Sequence, residues 1–151
     1  MAGEADGMFT TTPMLPLAVG TADCLPVVIE GEGGVGIAHA GWRGAAAGVI
    51  AALRDALAAA GVSARRAAIG PGIGPCCFEV GPEVVTAFPK WVSWTRWGSV
   101  SVDLPSAVES ALEGMEVWRA SVCTYCGSGF RSQRRDATSD RQVTLAWLTS
   151  G

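Results

Sequence analysis

The 151-residue sequence has one histidine, His39. That count excludes a multicopper oxidase built from this chain, because a blue-copper centre alone takes two histidines and a cysteine. It equally excludes a two-histidine zinc motif of the H-E-x-x-H kind. Lysine also occurs once, at Lys90, so ten arginines carry nearly all the positive charge. The net charge is −3, which gives no basis for nucleic-acid binding. No apolar run approaches the roughly 20 residues of a membrane span. The opening MAGEADG is acidic and lacks the basic-then-apolar pattern of a secretory leader. The expectation is a cytoplasmic protein with no membrane or nucleic-acid partner.

Hydrophobic residues make up 49% of the chain and charged residues only 17%, a balance that opposes disorder. The length suits one domain over residues 1–151. Such a chain buries roughly 70% of its unfolded surface and needs no disulfide staple. Its five cysteines, 24, 76, 77, 123 and 126, are odd in number and read as thiols.

Short apolar runs at 15–19 and 25–30 predict strands, and 35–38 predicts another that ends at His39. The intervening GEGG predicts a hairpin turn. From Gly44 to Ala60, Ala46, Val49, Ile50, Leu53 and Leu57 follow helical spacing, with Gly61 as the C-terminal cap. Residues 67–70 read as a strand, PGIGPCCFEVG as an irregular loop, and 82–88 as a short helix. A strand over 99–102 precedes a helix over 104–113, capped by Asp103 and stopped by Gly114. Strands over 117–122 and 143–148 complete the reading. Interleaved strands and helices place the chain in the α/β (α+β) class, as a layered sandwich of mixed β-sheets flanked by helices.

Several features carry chemistry. Cys24 and His39 each end an apolar strand, and a paired hairpin would bring them together. A thiol beside an imidazole suits a nucleophilic dyad or two ligands of a zinc site; it also reads as a buried cysteine and a histidine bonded to a carbonyl. In HAGWRG, residues 39–44, Arg43 lies near a helix start, where free amides attract anions. In PGIGPCCFEVG, at most one of Cys76 and Cys77 is expected to face a cleft. Cys123-Thr-Tyr-Cys126 is half of a zinc ribbon without a second C-x-x-C, and reads as core thiols. Arg131, Arg134, Arg135 and Arg141 lie close to Ser132 and Thr138, a pattern suited to phosphate or to a solvated loop.

In combination, TADCLPVVI, IAHAGWRGAAAGVI, IGPGIGPCCFEVG, VCTYC and FRSQRRDATSDRQVTLAWL follow the order of one family. The sequence resembles the bacterial polyphenol oxidase or laccase-domain proteins, also called the purine nucleoside phosphorylase family or peptidoglycan editing factor. The likeness runs from EADGMFT to the last strand. It implies a layered α/β fold and a zinc site with Cys24 and His39 as ligands. It also implies catalytic roles for Cys24, His39 and Arg43, and phosphate contacts from Arg43, Arg131, Arg134 and Arg135. The implied activities are phosphorolysis of purine nucleosides, deamination of adenosine and, in one branch, hydrolysis of mis-loaded UDP-muramyl precursors.

Family members carry an earlier segment with a Gln-Val-His-Gly motif, whose histidine is the third zinc ligand. This sequence is expected to begin after that segment, as a fragment or a short form, with Asp23, Cys76 or Cys77 as substitutes. The ATSDR stretch is also shorter than the family's Thr-Gly-Arg turn. In fold, the family resembles the cytotoxic necrotizing factor deamidase and the chemotaxis receptor glutamine deamidase, which use a metal-free Cys–His dyad. Three readings follow: a zinc-dependent purine nucleoside enzyme, a metal-free Cys24–His39 hydrolase or amidase, and a non-catalytic homologue. A second copy of the chain is the expected cover for any sheet edge the earlier segment would leave open.

Overall fold

The computed structural model describes residues 5–150. The first four residues of the MAGEADG opening lie outside the described residues. The strands and helices run β1 (Gly7–Thr10), β2 (Leu17–Thr21), β3 (Leu25–Gly31), β4 (Gly34–Ala40), α1 (Trp42–Ala46), α2 (Val49–Ala59), β5 (Ala64–Ile69) and α3 (Pro82–Ala87). After a 3-10 turn over Pro89–Trp91 come β6 (Val92–Trp94), β7 (Val100–Val102), α4 (Leu104–Ser110), β8 (Glu116–Arg119), α5 (Gln133–Asp136) and β9 (Gln142–Ala146). No helix among the described residues is long and apolar enough to cross a membrane.

The central sheet has the order β1-β4-β3-β5-β8, with β5 and β8 parallel and the other pairs antiparallel. Strand periodicity of two divides the β3–β4 side chains between its faces. Leu25, Val27, Ile29, Ala38 and Ala40 share one apolar cluster with Leu53 and Leu57 of α2 and Leu104 and Val108 of α4. On the other face Val35 and Ile37 pack with Leu17 and Ala146 of the β2–β9 ribbon. The sheet is therefore covered by helices on one side and a two-stranded ribbon on the other, which is the layered α/β class that the sequence predicts.

Close approach of α2 depends on one missing side chain. A Cβ on Gly36 would lie 2.7 Å from Leu53 Cδ1, and Leu53 is buried. Gly36→Ala is expected to cost about 2 kcal/mol and lower Tm by about 4–8 °C, measured by thermal unfolding. An unchanged Tm would show that the α2 contact yields without strain.

The helix predicted over 44–60 is in fact two. Gly48 takes a left-handed φ of +87° between α1 and α2, and its N–H bonds to Ala45 O. Glycine adopts that conformation without steric cost, so it ends α1 and redirects the chain while the apolar spacing continues unbroken. Gly61, with φ +81°, closes α2 as expected. Asp103 caps α4 by accepting from the Ser106 N–H at 3.1 Å. The sequence reading missed β1, β6 and α5, which are short and have weak apolar alternation.

Candidate functional site

The β3–β4 hairpin does bring Cys24 and His39 together. Its register pairs Leu25 with Ala40 and Pro26 with His39, which leaves Cys24 level with Gly41. A Cβ on Gly41 would lie 2.9 Å from Cys24 Sγ and 4.0 Å from His39 Nε2. The sulfur and the ring nitrogen thus border one small space that glycine keeps open. On the far side of the ring, His39 Nδ1 lies 3.5 Å from Asp6 Oδ1, and the His39 N–H donates to Asp6 O at 2.7 Å. A carboxylate beside Nδ1 orients the ring, with Nε2 bordering the space at Gly41. Among the described residues no third histidine, cysteine or carboxylate joins this pair to make a larger ligand group.

Cys24 lies in a cavity of about 230 Å³ bordered by Asp23, Trp42, Arg43, Phe78, Gln133 and Arg134. Two cations enter it from different elements. The Arg43 guanidinium stacks on Trp42 at 4.4 Å, at the start of α1. Arg134, on α5, lies 5.2 Å over the Phe78 ring and donates from Nη1 to Glu79 O at 2.7 Å. Burial pushes the Cys24 thiol above its ordinary value and the Asp23 carboxylate adds to this; Arg141 and Arg134 pull it down without cancelling the rise.

Asp23 holds the two ends of the site together. Its buried carboxylate accepts from Thr124 Oγ1 at 2.7 Å and from the Arg134 N–H at 2.8 Å, while its carbonyl accepts from the Ile73 N–H. Its φ of +83° is costly for a residue with a Cβ, so these bonds sustain a strained backbone next to Cys24.

The arginine cluster divides by role. The Arg135 guanidinium donates to the carbonyls of Thr124, Tyr125, Gly127 and Phe130 and chelates the Asp136 carboxylate. It clasps its own loop and does not border the cavity. That pairing also holds the Asp136 carboxyl below its usual range. Arg131 meets Gln142 through its main chain, and Arg141 donates to Thr138 O and Asp140 O. Of the predicted phosphate residues, Arg43 and Arg134 are therefore the two at the cavity. Nothing in the sequence pattern distinguishes a guanidinium spent on carbonyls from one facing a cleft.

The other cysteines correct the reading of Cys123 and Cys126 as core thiols, while Cys76 alone of the adjacent pair borders a pocket. Cys76 and Cys77 both reach Cys126, with Sγ–Sγ separations of 3.7 and 3.3 Å. All four sulfurs of Cys76, Cys77, Cys123 and Cys126 lie within 4.8 Å of one another, a group that could hold a metal ion. Adjacent cysteines would diverge in a strand, but Cys77 and Phe78 donate to Gly74 O, and this turn rotates both thiols to one side. Cys126 is exposed and Cys123 half-buried, so they are not core thiols. The partner of the C-x-x-C pair is an adjacent pair rather than a second C-x-x-C.

Comparisons with known proteins identify the family. Residues 1–149 match the family model described as multi-copper polyphenol oxidoreductase laccase. A purine nucleoside phosphorylase of Aquifex aeolicus is 34% identical over 93% of this chain and 69% of its own length. Purine nucleoside phosphorylase ORF3 of Streptomyces griseus is 37% identical over 95% of this chain and 63% of its own. The crystal structure of the Bacillus licheniformis hypothetical protein YfiH matches with a TM-score of 0.85 and 32% identity, over 95% of this chain and 61% of that one. The chain thus spans between three-fifths and seven-tenths of the length of these relatives. The copper in the family's description finds no multi-histidine ligand set in these 151 residues, whereas the family model covers residues 1–149 and the fold coincides over 95% of the chain. On that coincidence the chain belongs to the multi-copper polyphenol oxidoreductase laccase family, whose members include proteins named purine nucleoside phosphorylase.

Proposed function

We propose that this chain carries the catalytic cleft of a zinc-dependent purine nucleoside phosphorylase. The observation behind this reading is the convergence of Cys24, two arginines and two aromatic residues around one cavity, with His39 Nε2 bordering the same Gly41 space as the Cys24 sulfur. The space kept open by Gly41 and the Asp6-oriented ring suit the donor preferences of zinc, which takes thiolate sulfur and imidazole nitrogen. Cys24 and His39 would hold the ion, with further ligands from outside this pair. When bound, zinc would supply Lewis-acid stabilisation of developing charge.

The protein's own residues account for the rest of the reading. Arg43 and Arg134 would hold inorganic phosphate from two sides, by the charge-assisted contacts that planar guanidinium groups make with oxyanions. Trp42, on the face that Arg43 leaves free, would offer an apolar surface to the purine, with the buried Phe78 as the cavity's floor. In phosphorolysis a phosphate oxygen bonds to the ribose C1′ and the bond from C1′ to the base nitrogen breaks. The base departs with the electron pair and takes up a proton. Fixing both reactants in one cleft reduces the entropic part of this barrier. Incubation with inosine or adenosine, with and without phosphate, tests the reading: release of free base and ribose 1-phosphate only when phosphate is present supports it. Inosine formed from adenosine would instead indicate deamination, and turnover of a UDP-muramyl precursor would indicate cell-wall editing.

The metal-free dyad has less support, because burial and Asp23 hold the Cys24 thiol above its ordinary value. In chelated protein, Cys24 is expected to react with iodoacetamide more slowly than glutathione at pH 8. Its rate should still be rising above pH 9, since the thiolate is the nucleophile. Rapid alkylation at pH 6 that disappears in His39→Ala would revive the dyad.

A further inference from the structure

We infer that Cys76, Cys77, Cys123 and Cys126 form a second, structural zinc site, distinct from the Cys24–His39 pair. Four zinc–sulfur bonds of about 2.3 Å in tetrahedral array set the sulfurs about 3.8 Å apart. The sulfurs here fall around that spacing, at 3.3 and 3.7 Å for two pairs and within 4.8 Å for all. Four soft thiolates in tetrahedral reach select zinc over harder cations.

The backbone around the group is built as a metal-binding knuckle. The Gly127 N–H donates to Cys123 O at 3.0 Å, closing a single turn that sets Cys123 and Cys126 on one side. The Gly74 N–H donates to Cys123 Sγ at 3.2 Å. Amide donors of this kind stabilise a ligating thiolate and orient its lone pairs. Zinc with four thiolates carries a net charge of minus two, and the Arg96 guanidinium lies 3.7 Å from Cys126 Sγ to offset it. Arg96 is held in place by its own N–H to Cys76 O and by the Trp97 and Tyr125 rings.

The site joins two irregular loops almost fifty residues apart, where the main chain contributes an isolated bridge between Gly72 and Cys123, made in part by the Thr124 N–H to Gly72 O bond. Thr124, between the two knuckle cysteines, is also the residue that bonds Asp23 beside Cys24. A metal cross-link here would fix the loops on which the catalytic cleft is assembled, and its presence does not depend on the nucleoside reading.

Metal analysis of protein purified under reducing conditions tests the site. The Cys24→Ala/His39→Ala double variant is expected to retain one zinc per chain, with X-ray absorption showing four sulfur neighbours. Cys123→Ser is expected to lose that zinc. In case Cys123→Ser does not fold, chelation of the double variant provides a second measurement, with an expected fall in Tm of about 10 °C. Zinc absent from the double variant but present in the wild type would assign all metal to the Cys24–His39 pair and overturn the inference. Iron in place of zinc, a Tm indifferent to chelation, or thiols released by reductant rather than by chelator would overturn it too. The last result would indicate a Cys77–Cys126 disulfide.

Discussion

Cys24→Ala is expected to lower kcat/KM for phosphate-dependent release of base by about 10³-fold or more, while the protein remains folded. A Lewis acid in the transition state is worth several kcal/mol, and each 1.4 kcal/mol is about tenfold in rate. The structural cost is small, since removing a half-buried thiol loses roughly 1 kcal/mol. His39→Ala should cost as much, and the double variant little more than either single one, because residues that act as a unit are not additive. Asp6→Ala removes only the group that orients the ring and should cost about 10–100-fold. Rates by chromatography of the liberated base and Tm by thermal unfolding separate these effects. Undiminished turnover in Cys24→Ala would remove the cleft from consideration, whatever the metal content.

A larger stability effect than at Gly36 is expected at Asp23. Asp23→Ala strands the Thr124 hydroxyl and the Arg134 N–H, each left inside the protein without its acceptor. An unsatisfied buried donor costs about 1–3 kcal/mol, so the substitution should cost about 3 kcal/mol and lower Tm by about 6–12 °C. Asp23→Gly should be milder by about 1 kcal/mol, because glycine accepts the φ of +83° without strain. Equal Tm values for the two variants would show that the backbone carries no strain there. A loss below about 1 kcal/mol in Asp23→Ala would show that water replaces the carboxylate.

The hairpin that forms the ligand pair was legible in the sequence because two apolar runs around GEGG leave few other pairings. Its register then fixes Cys24 opposite Gly41 with no further information. The break at Gly48 was not legible: Ala46, Val49 and Ile50 continue the helical spacing across it, and only the positive φ reveals the turn. The four-cysteine group escaped because zinc-ribbon spacing assumes two C-x-x-C knuckles. A turn closed on Gly74 O makes adjacent cysteines equivalent to one. Arg135 escaped for a related reason. Four carbonyls gathered by a loop occupy its guanidinium, and main-chain carbonyls leave no mark on side-chain pattern.

The two Asp23 bonds also set a timetable. They join residues 101 and 111 positions apart, whereas the β3–β4 hairpin turns on Glu32 and Gly33 alone. A hairpin closes in about 1–10 µs, and long loops close at a larger entropic cost. At about 5–20 residues per second of synthesis, Arg134 follows Asp23 off the ribosome by about 6–20 s. For the part of that interval after His39 emerges, the chain holds both Cys24 and His39 while the Arg134 side of the cleft is not yet made.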